Sequence, residues 1–216
     1  MVQVTNDHGC RHRSVLNLAG FLARSAVNGP GIRSVVWVQG CPIRCTGCFN
    51  PQSWSFSPAN PVPVSDLADR ILALNGLDGV TFSGGEPFAQ AEALARLGRQ
   101  VRGGGLSVVT FTGFSYSHIL AMHRSSWEEL LSVTDLLIAG PYVPSLRCSS
   151  SLRSSSNQEI LPLTGAIEIP RSLTPENGPC TEFTISPDGS LTTTGFPDRQ
   201  FLQQMASQMV SNSRGG

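Results

Sequence analysis

Apolar positions along the chain fall into short blocks of two alternating kinds. Val35–Gln39 (Val-Val-Trp-Val-Gln) is a compact run rich in β-branched and aromatic residues, which predicts a buried strand. Gly79–Phe82, Leu106–Phe111 and Leu136–Ile138 repeat that pattern. Between these runs, apolar residues recur at helical spacing. One such stretch covers Leu67–Leu74, with Ser65 as the expected N-cap and Asp66 in the first turn. Another covers Ala89–Val101 through Ala91, Leu94, Leu97 and Val101, and Gly103-Gly104-Gly105 stops it. A third covers Ser117–Val133 and carries Ile119, Leu120, Leu130 and Leu131. Strands alternating with helices in this way predict parallel βαβ units joined by right-handed crossovers. The expected class is α/β, as an open doubly wound sheet or as a partial barrel.

The rest of the chain is less regular. Pro51–Pro63 is rich in Pro and Ser and reads as a loop. Ser145–Ser156 holds seven Ser in twelve residues and predicts a mobile loop. Thr181–Ser186 and Leu191–Thr194 flank Pro187-Asp188-Gly189, which predicts a β-hairpin. Phe201–Val210 predicts a short terminal helix, and Ser211–Gly216 a frayed end. The expected organisation is a flexible segment over 1–14, a main domain over 15–165 and an extension over 166–216.

Composition narrows the function classes. The 216 residues include 15 Arg, no Lys and 15 acidic residues, so the formal net charge is zero. That balance removes the electrostatic reason to expect nonspecific binding to nucleic acid or an anionic membrane. Absence of Lys excludes Schiff-base chemistry and a Walker-type phosphate loop, both of which need the amine. No run approaches the ~18 apolar residues of a spanning helix. Asp7, His8, Arg11, His12 and Arg13 precede the stretch Val15–Ala26, which Gly20 and Arg24 interrupt, so no signal peptide is expected. A cytoplasmic setting with reduced thiols follows as the expectation.

Half of the six cysteines lie within eight residues: Cys41, Cys45 and Cys48 form C-x3-C-x2-C directly after the first predicted strand. Gly40, Pro42 and Gly47 argue for a loop, in which backbone N–H groups are free to point at sulfur. Three thiols on one loop suit a metal. A structural zinc site needs a fourth ligand and usually uses C-x2-C pairs; only distant Cys148 or Cys180 could complete one here. Three soft ligands without a local fourth also suit an iron–sulfur cluster with one iron left open. Cys10, Cys148 and Cys180 are isolated and read as ordinary thiols. His118 and His123 are five apart on one predicted helix, off the i,i+4 geometry for a shared metal.

C-x3-C-x2-C is also the motif of the radical S-adenosylmethionine enzymes. Asn28-Gly29-Pro30-Gly31-Ile32-Arg33, Gly40-Cys41, Cys45-Thr46-Gly47-Cys48-Phe49-Asn50 and Trp54 resemble the activating proteins of anaerobic ribonucleotide reductases, a glycyl-radical-enzyme activase family. So do Ser83-Gly84-Gly85-Glu86-Pro87, Thr112-Gly113, Asp135-Leu136-Leu137-Ile138 with Gly140-Pro141, and Ser155-Ser156-Asn157-Gln158. The resemblance runs over roughly 15–165. The family often has Asp where Asn28 and Ala139 stand and Gly where Ser154 stands, and this chain runs on past the family's usual end.

The resemblance implies a partial βα barrel of parallel strands, here with a C-terminal β-hairpin extension. It implies a [4Fe-4S] cluster on Cys41, Cys45 and Cys48 and S-adenosylmethionine as cofactor. Gly84, Gly85 and Glu86 would hold the methionine amino group, Gly47 and Phe49 would lie against the adenine, and Thr112 would stand near the ribose or carboxylate. Arg33, Arg44 and Arg153 are candidates for the carboxylate. The implied reaction is reductive cleavage to a 5′-deoxyadenosyl radical, with flavodoxin or ferredoxin as reductant and a glycyl-radical enzyme such as anaerobic ribonucleotide reductase as partner. Competing readings are a radical enzyme acting on a small molecule or peptide, and a zinc-stabilised binding module. Truncation at about residue 165 and metal analysis discriminate them.

Overall fold

The computed structural model describes residues 14–148, 150–169, 181–185 and 191–195, together with Gln204 and Ser207. In chain order the elements are β1 (Val15–Ser25), β2 (Arg33–Val38), β3 (Pro61–Pro63), α1 (Val64–Leu72), β4 (Gly79–Gly84), α2 (Ala91–Gly103), β5 (Ser107–Thr112), α3 (Tyr116–Ala121), α4 (Ser125–Val133), β6 (Leu136–Ala139), β7 (Glu159–Pro162), β8 (Thr181–Ile185) and β9 (Leu191–Gly195). β2, β4, β5 and β6 correspond to the four expected strands. They are adjacent and parallel, in register Val36↔Phe82, Phe82↔Thr110 and Thr110↔Leu137. The remaining strands β3, β1 and β7 extend this sheet by antiparallel pairing to seven, in the order β3-β1-β2-β4-β5-β6-β7. β8 and β9 form the separate antiparallel hairpin that the turn residues predict.

Strand alternation sorts the side chains to two faces. Val36, Val38, Val80, Phe82, Val108 and Leu137 are buried against Leu67 and Ile71 of α1, Leu94 and Leu97 of α2, and Trp127 and Leu130 of α4. Burying each large apolar side chain contributes roughly 1.5–3 kcal/mol. The opposite face carries Val109, Leu136 and Ile138 with Leu152, and partly buried Phe111, Ile160, Ile167 and Ile169 packed on them. The sheet is thus covered by helices on one side, while its second face is left for loops and a cavity.

Several expectations need correction. β1, β3 and β7 are absent from the reading of the sequence. β1 is partly exposed, and its register with β2 is broken by bulges between Leu18 and Gly20 and between Leu22 and Ser25, which spoils simple alternation. α1 begins at Val64 with Pro63 as N-cap, because β3 runs straight into it; the Ser65 hydroxyl donates instead to Asp66 Oδ1 at 2.9 Å. The helix expected over Ser117–Val133 is two helices, broken at Met122–Arg124, where His123 has φ of 46°. Within the stretch expected to be a mobile loop, Ser145–Ser156, the part from Ser150 to Ser155 is packed. Ser150, Leu152, Ser154 and Ser155 are buried, and Gln158 Oε1 accepts from the Ser154 N–H, the Ser154 hydroxyl and the Ser155 N–H at 2.9, 3.0 and 3.2 Å. Residues 1–13, and the terminal helix expected over 201–210 apart from Gln204 and Ser207, lie outside the described residues.

Arg33 lies at the start of β2 and is only 1% exposed. Its guanidinium donates to Pro30 O, Thr81 Oγ1, Val80 O, Ser107 O and Ser107 Oγ at 2.7–3.2 Å, spanning the N-terminal ends of β2, β4 and β5. Burial lowers its pKa to about 10, with Asp78 and Asp135 opposing the shift, so the charge persists at neutral pH. Replacement by Leu would strand those acceptors in the interior. Arg33→Leu is expected to cost about 3 kcal/mol, read in urea as a lower midpoint at unchanged slope.

Candidate functional site

The C-terminal ends of the parallel strands carry the cysteine loop, the Gly-Gly-Glu segment and the Thr-Gly pair. β2 leads through Gln39 into the cysteine loop, β4 ends in Gly84-Gly85-Glu86, β5 in Thr112-Gly113 and β6 in Ala139-Gly140. Ligands bind at this edge in parallel α/β sheets. A cavity of about 610 Å³ lies there. Cys41, Cys45, Cys48, Phe49, Trp54, Gly84, Gly85, Glu86 and Thr112 all line it, as do Asn28, Trp37, Tyr142 and Gln158.

The cysteine loop is irregular, as its glycines require. Gly40 and Gly47 have φ of 99° and 75°, and Arg44 takes φ of 52°. At Gly40 a Cβ would fall 2.7 Å from the Phe56 ring, so the position is closed to other residues. Backbone N–H groups point at sulfur. Those of Ile43 and Arg44 reach Cys41, that of Tyr142 reaches Cys45, and that of Asn50 reaches Cys48 Sγ at 3.4 Å. Cys41 is buried and Cys45 and Cys48 are half-buried. Burial pushes the Cys41 and Cys45 thiols up, and the N–H contacts oppose it. Without a cation these two sulfurs therefore stay protonated; bound iron would supply the positive charge that the thiolates need.

The loop is pinned beside the end of β4. The Gly85 N–H donates to Val38 O at 2.7 Å and the Glu86 N–H to Gly40 O at 2.9 Å. A Cβ on Gly84 would stand 2.5 Å from Val38 N, and one on Gly85 2.4 Å from Gly40 O. These glycines let two backbones touch. Glu86 is fully buried. Its Oε1 accepts from the Phe88 N–H and the Thr112 hydroxyl at 2.9 and 2.8 Å, and its Oε2 from the Gly113 N–H at 2.9 Å. The carboxylate is thus a clamp between the ends of β4 and β5. Desolvation pushes its pKa up to about 7, against the pull of those three donors. The hydroxyl of Thr112 is used in the same clamp, since it also accepts from the Phe114 N–H at 3.1 Å.

Other expected residues are dispersed. Phe49 lies in the cavity wall with its ring centroid 5.2 Å from that of Tyr142. Gly47 is not part of the described lining. Arg33 is at the opposite end of the strands and does not reach this edge. Arg44 is exposed, and Arg153 donates to Ser156 O and Gln158 O. No Arg belongs to the described lining. His118 stacks on Phe114 away from the cavity, with centroids 5.1 Å apart.

The residues present fit an iron–sulfur cluster. The donor set is three thiols on one cavity wall, each met by a backbone N–H or by its loop neighbours. The Trp54 indole N–H is buried in that wall with no hydrogen-bond partner among the described residues, a donor left to a ligand. No three His, Cys, Asp or Glu side chains among the described residues converge on a single-ion point. A cluster does not demand such convergence, because each Cys ligates a different iron. The parts played by Tyr142 and β9 carry no mark in the sequence, since only the folded chain brings them to the cavity. Asn28, Trp54 and Gln158 stand inside the quoted motifs and were findable there.

A family model described as "4Fe-4S single cluster domain" matches residues 27–161, which include the three cysteines and all four strand ends. The pyruvate formate-lyase-activating enzymes of Staphylococcus aureus strains USA300 and NCTC 8325 / PS 47 are each 33% identical to this chain over 118 residues, 52% of this chain and 47% of the relative. The chain spans about half the length of the curated relatives it matches. Among the described residues no helix is long and apolar enough to cross a membrane.

Glu86 generates a pH prediction. Its folded pKa of about 7 stands above the ordinary 4.5, so between those values the folded chain binds more protons than the unfolded one. Stability of the metal-free chain is therefore expected to fall as pH rises from about 4.5 to about 7, by roughly 3 kcal/mol if Glu86 acts alone. Urea midpoints across that window check it; Glu86→Gln should be less stable at low pH and should flatten the profile. Separately, Gly85→Ala is expected to push the β4 end off the cysteine loop and to lower the iron retained per chain severalfold after anaerobic reconstitution. Retention at the parental level would show that this contact does not hold the loop.

Proposed function

This chain belongs to the 4Fe-4S single cluster domain family, and from that membership we propose that it is a radical S-adenosylmethionine enzyme that activates a glycyl-radical enzyme. The observation that carries the reading is the meeting of Cys41, Cys45, Cys48 and Gly84-Gly85-Glu86 in one cavity at the C-terminal strand ends. Similarity to pyruvate formate-lyase-activating enzymes supports it.

In this reading Cys41, Cys45 and Cys48 ligate the cluster, with the loop N–H groups steadying the sulfurs. When bound, a cluster with one open iron would supply one-electron reduction of the S-adenosylmethionine sulfonium, whose C–S bond would break to give methionine and a 5′-deoxyadenosyl radical. The backbone at Gly84 and Gly85 offers acceptors to the amino group, while the Glu86 side chain works through its neighbours, holding the ends of β4 and β5. Phe49, in the wall beside Tyr142, packs on the adenine. The walls exclude water and hold the hydrogen donor near the nucleoside. That donor is a Gly α-hydrogen of the partner enzyme, and the electron comes from a one-electron reductant such as flavodoxin or ferredoxin. A reducing, cytoplasmic setting accords with the free thiols at Cys41, Cys45, Cys48 and Cys148.

The test is 5′-deoxyadenosine formation. Reconstituted anaerobically with iron and sulfide and given S-adenosylmethionine and dithionite, the chain is expected to form it, and Cys45→Ala to form only background. With pyruvate formate-lyase or anaerobic ribonucleotide reductase present, a glycyl radical is expected in electron spin resonance. A loaded cluster that yields no 5′-deoxyadenosine with either enzyme present would overturn the reading.

A further inference from the structure

The proposed function leaves two sequence motifs without a role, Gly140-Pro141 and Ser155-Ser156-Asn157-Gln158. The fold joins them. The turn that leaves β6 is gripped by the second motif at three points. Gly140 O accepts from Gln158 Nε2 at 3.0 Å and Pro141 O from Asn157 Nδ2 at 2.9 Å, while the Val143 N–H donates to Ser155 Oγ at 3.3 Å. Gln158 is itself fixed, since its Oε1 accepts from the Ser154 N–H, the Ser154 hydroxyl and the Ser155 N–H. Gly140 has φ of 127°, and a Cβ there would lie 3.3 Å from Gln158 Cα, so glycine lets the two segments lie close.

The backbone donors of this turn can be followed one by one. The Gly140 N–H donates to Thr112 O at 3.1 Å, where the pairing of β6 with β5 ends. Pro141 has none, and that of Val143 goes to Ser155. The Tyr142 N–H leaves the brace and reaches the half-buried Cys45 sulfur. Gly140, Tyr142 and Gln158 line the same cavity as Cys45. The N–H groups on Cys41 and Cys48, from Ile43, Arg44 and Asn50, belong to the cysteine loop itself. Tyr142 comes instead from the end of another strand, so its contact is set by whatever holds that turn. An N–H aimed at a ligating sulfur favours the more negative, reduced state of a cluster, and such bonds are among the levers on its potential.

We propose that the Tyr142 N–H tunes the cluster through Cys45, and that Ser155, Asn157 and Gln158 are positioning residues that hold it there, so that this brace eases reduction of the cluster. That Cys45 is a cluster ligand rests on the function proposed above; the contact and its brace do not.

The experiment uses the full chain grown on tyrosine labelled at its amide nitrogen. The sequence has two tyrosines, Tyr116 on α3 and Tyr142, so the metal-free protein gives two amide signals, and the one missing from Tyr142→Phe is that of Tyr142. Its hydrogen exchange is expected to quicken about fivefold in Cys45→Ala, Asn157→Ala and Gln158→Ala and to stay unchanged in Cys48→Ala, with melting curves confirming that each variant is folded. An unaltered rate in Cys45→Ala would overturn the contact, and unaltered rates in both Asn157→Ala and Gln158→Ala would overturn the brace. In the reconstituted proteins, at equal iron per chain and one fixed ambient potential, electron spin resonance is expected to show about fivefold less reduced relative to oxidised cluster in Asn157→Ala and Gln158→Ala than in the unaltered chain. A parental ratio in a variant whose Tyr142 exchange has quickened would overturn the tuning role. If the unaltered chain takes up no cluster, the proposed function and the tuning role fall together, and the exchange rates still decide the contact and its brace.

Discussion

Two backbone hydrogen bonds, from Gly85 N–H to Val38 O and from Glu86 N–H to Gly40 O, hold the candidate site together. They continue the parallel ladder past its last register pair, Val38↔Gly84, and draw the cysteine loop alongside the end of β4. Both depend on the absence of side chains at Gly84 and Gly85, where a Cβ would collide with backbone at 2.5 and 2.4 Å. The thiols and the proposed amino-group acceptors are neighbours because two strands are paired in that register. A slip by one residue would exchange the faces of the sheet and separate them.

Two buried ionisable residues brace the same strands at opposite ends. Arg33 gathers carbonyls and hydroxyls at the N-terminal ends of β2, β4 and β5, and Glu86 gathers N–H and hydroxyl donors at the C-terminal ends of β4 and β5. Each carries a desolvation cost, visible as the lowered pKa of one and the raised pKa of the other. Each offsets that cost with at least three hydrogen bonds. Charge-assisted bonds of this kind are short, directional and stronger than neutral ones. Those of Glu86 fix the strand ends that carry the candidate site more closely than loose apolar packing alone would.

Periodicity made the centre of the fold legible. Val35–Gln39, Gly79–Phe82, Leu106–Phe111 and Leu136–Ile138 are short apolar runs because these strands are covered on both faces, and they are recognisable for that reason. Peripheral strands lack that mark. β1 is half-exposed and bulged, β3 is three residues long and mostly Pro, and β7 is partly exposed throughout. The break at His123 escaped for a related reason, since the apolar residues on either side share a helical period across it. Ser145–Ser156 misled by composition: its serines look solvated in sequence, yet Gln158 Oε1 accepts from Ser154 and Ser155, and the Gln158 amide is itself anchored on Gly140 O.

The candidate metal ligands were legible in the sequence alone, and the family resemblance, rather than spacing by itself, pointed to an iron–sulfur cluster. Three thiols at C-x3-C-x2-C, glycines that free the loop, and Gly-Gly-Glu one βα unit later are local features, carried by residue type and spacing. What each polar side chain binds was decided only by the tertiary structure. Arg33 was as good a candidate for the carboxylate as any Arg until the fold set it at the far end of the strands. Glu86 and Thr112, both candidate cofactor contacts on the cavity wall, are bonded to each other, a partnership no spacing announces. Thr194, 166 residues from Asn28, became part of the cavity only through long-range packing. Spacing along the chain encodes the candidate ligands of one loop. The partners of a buried polar group come from whichever strands are adjacent in space, and that adjacency is a property of the whole fold.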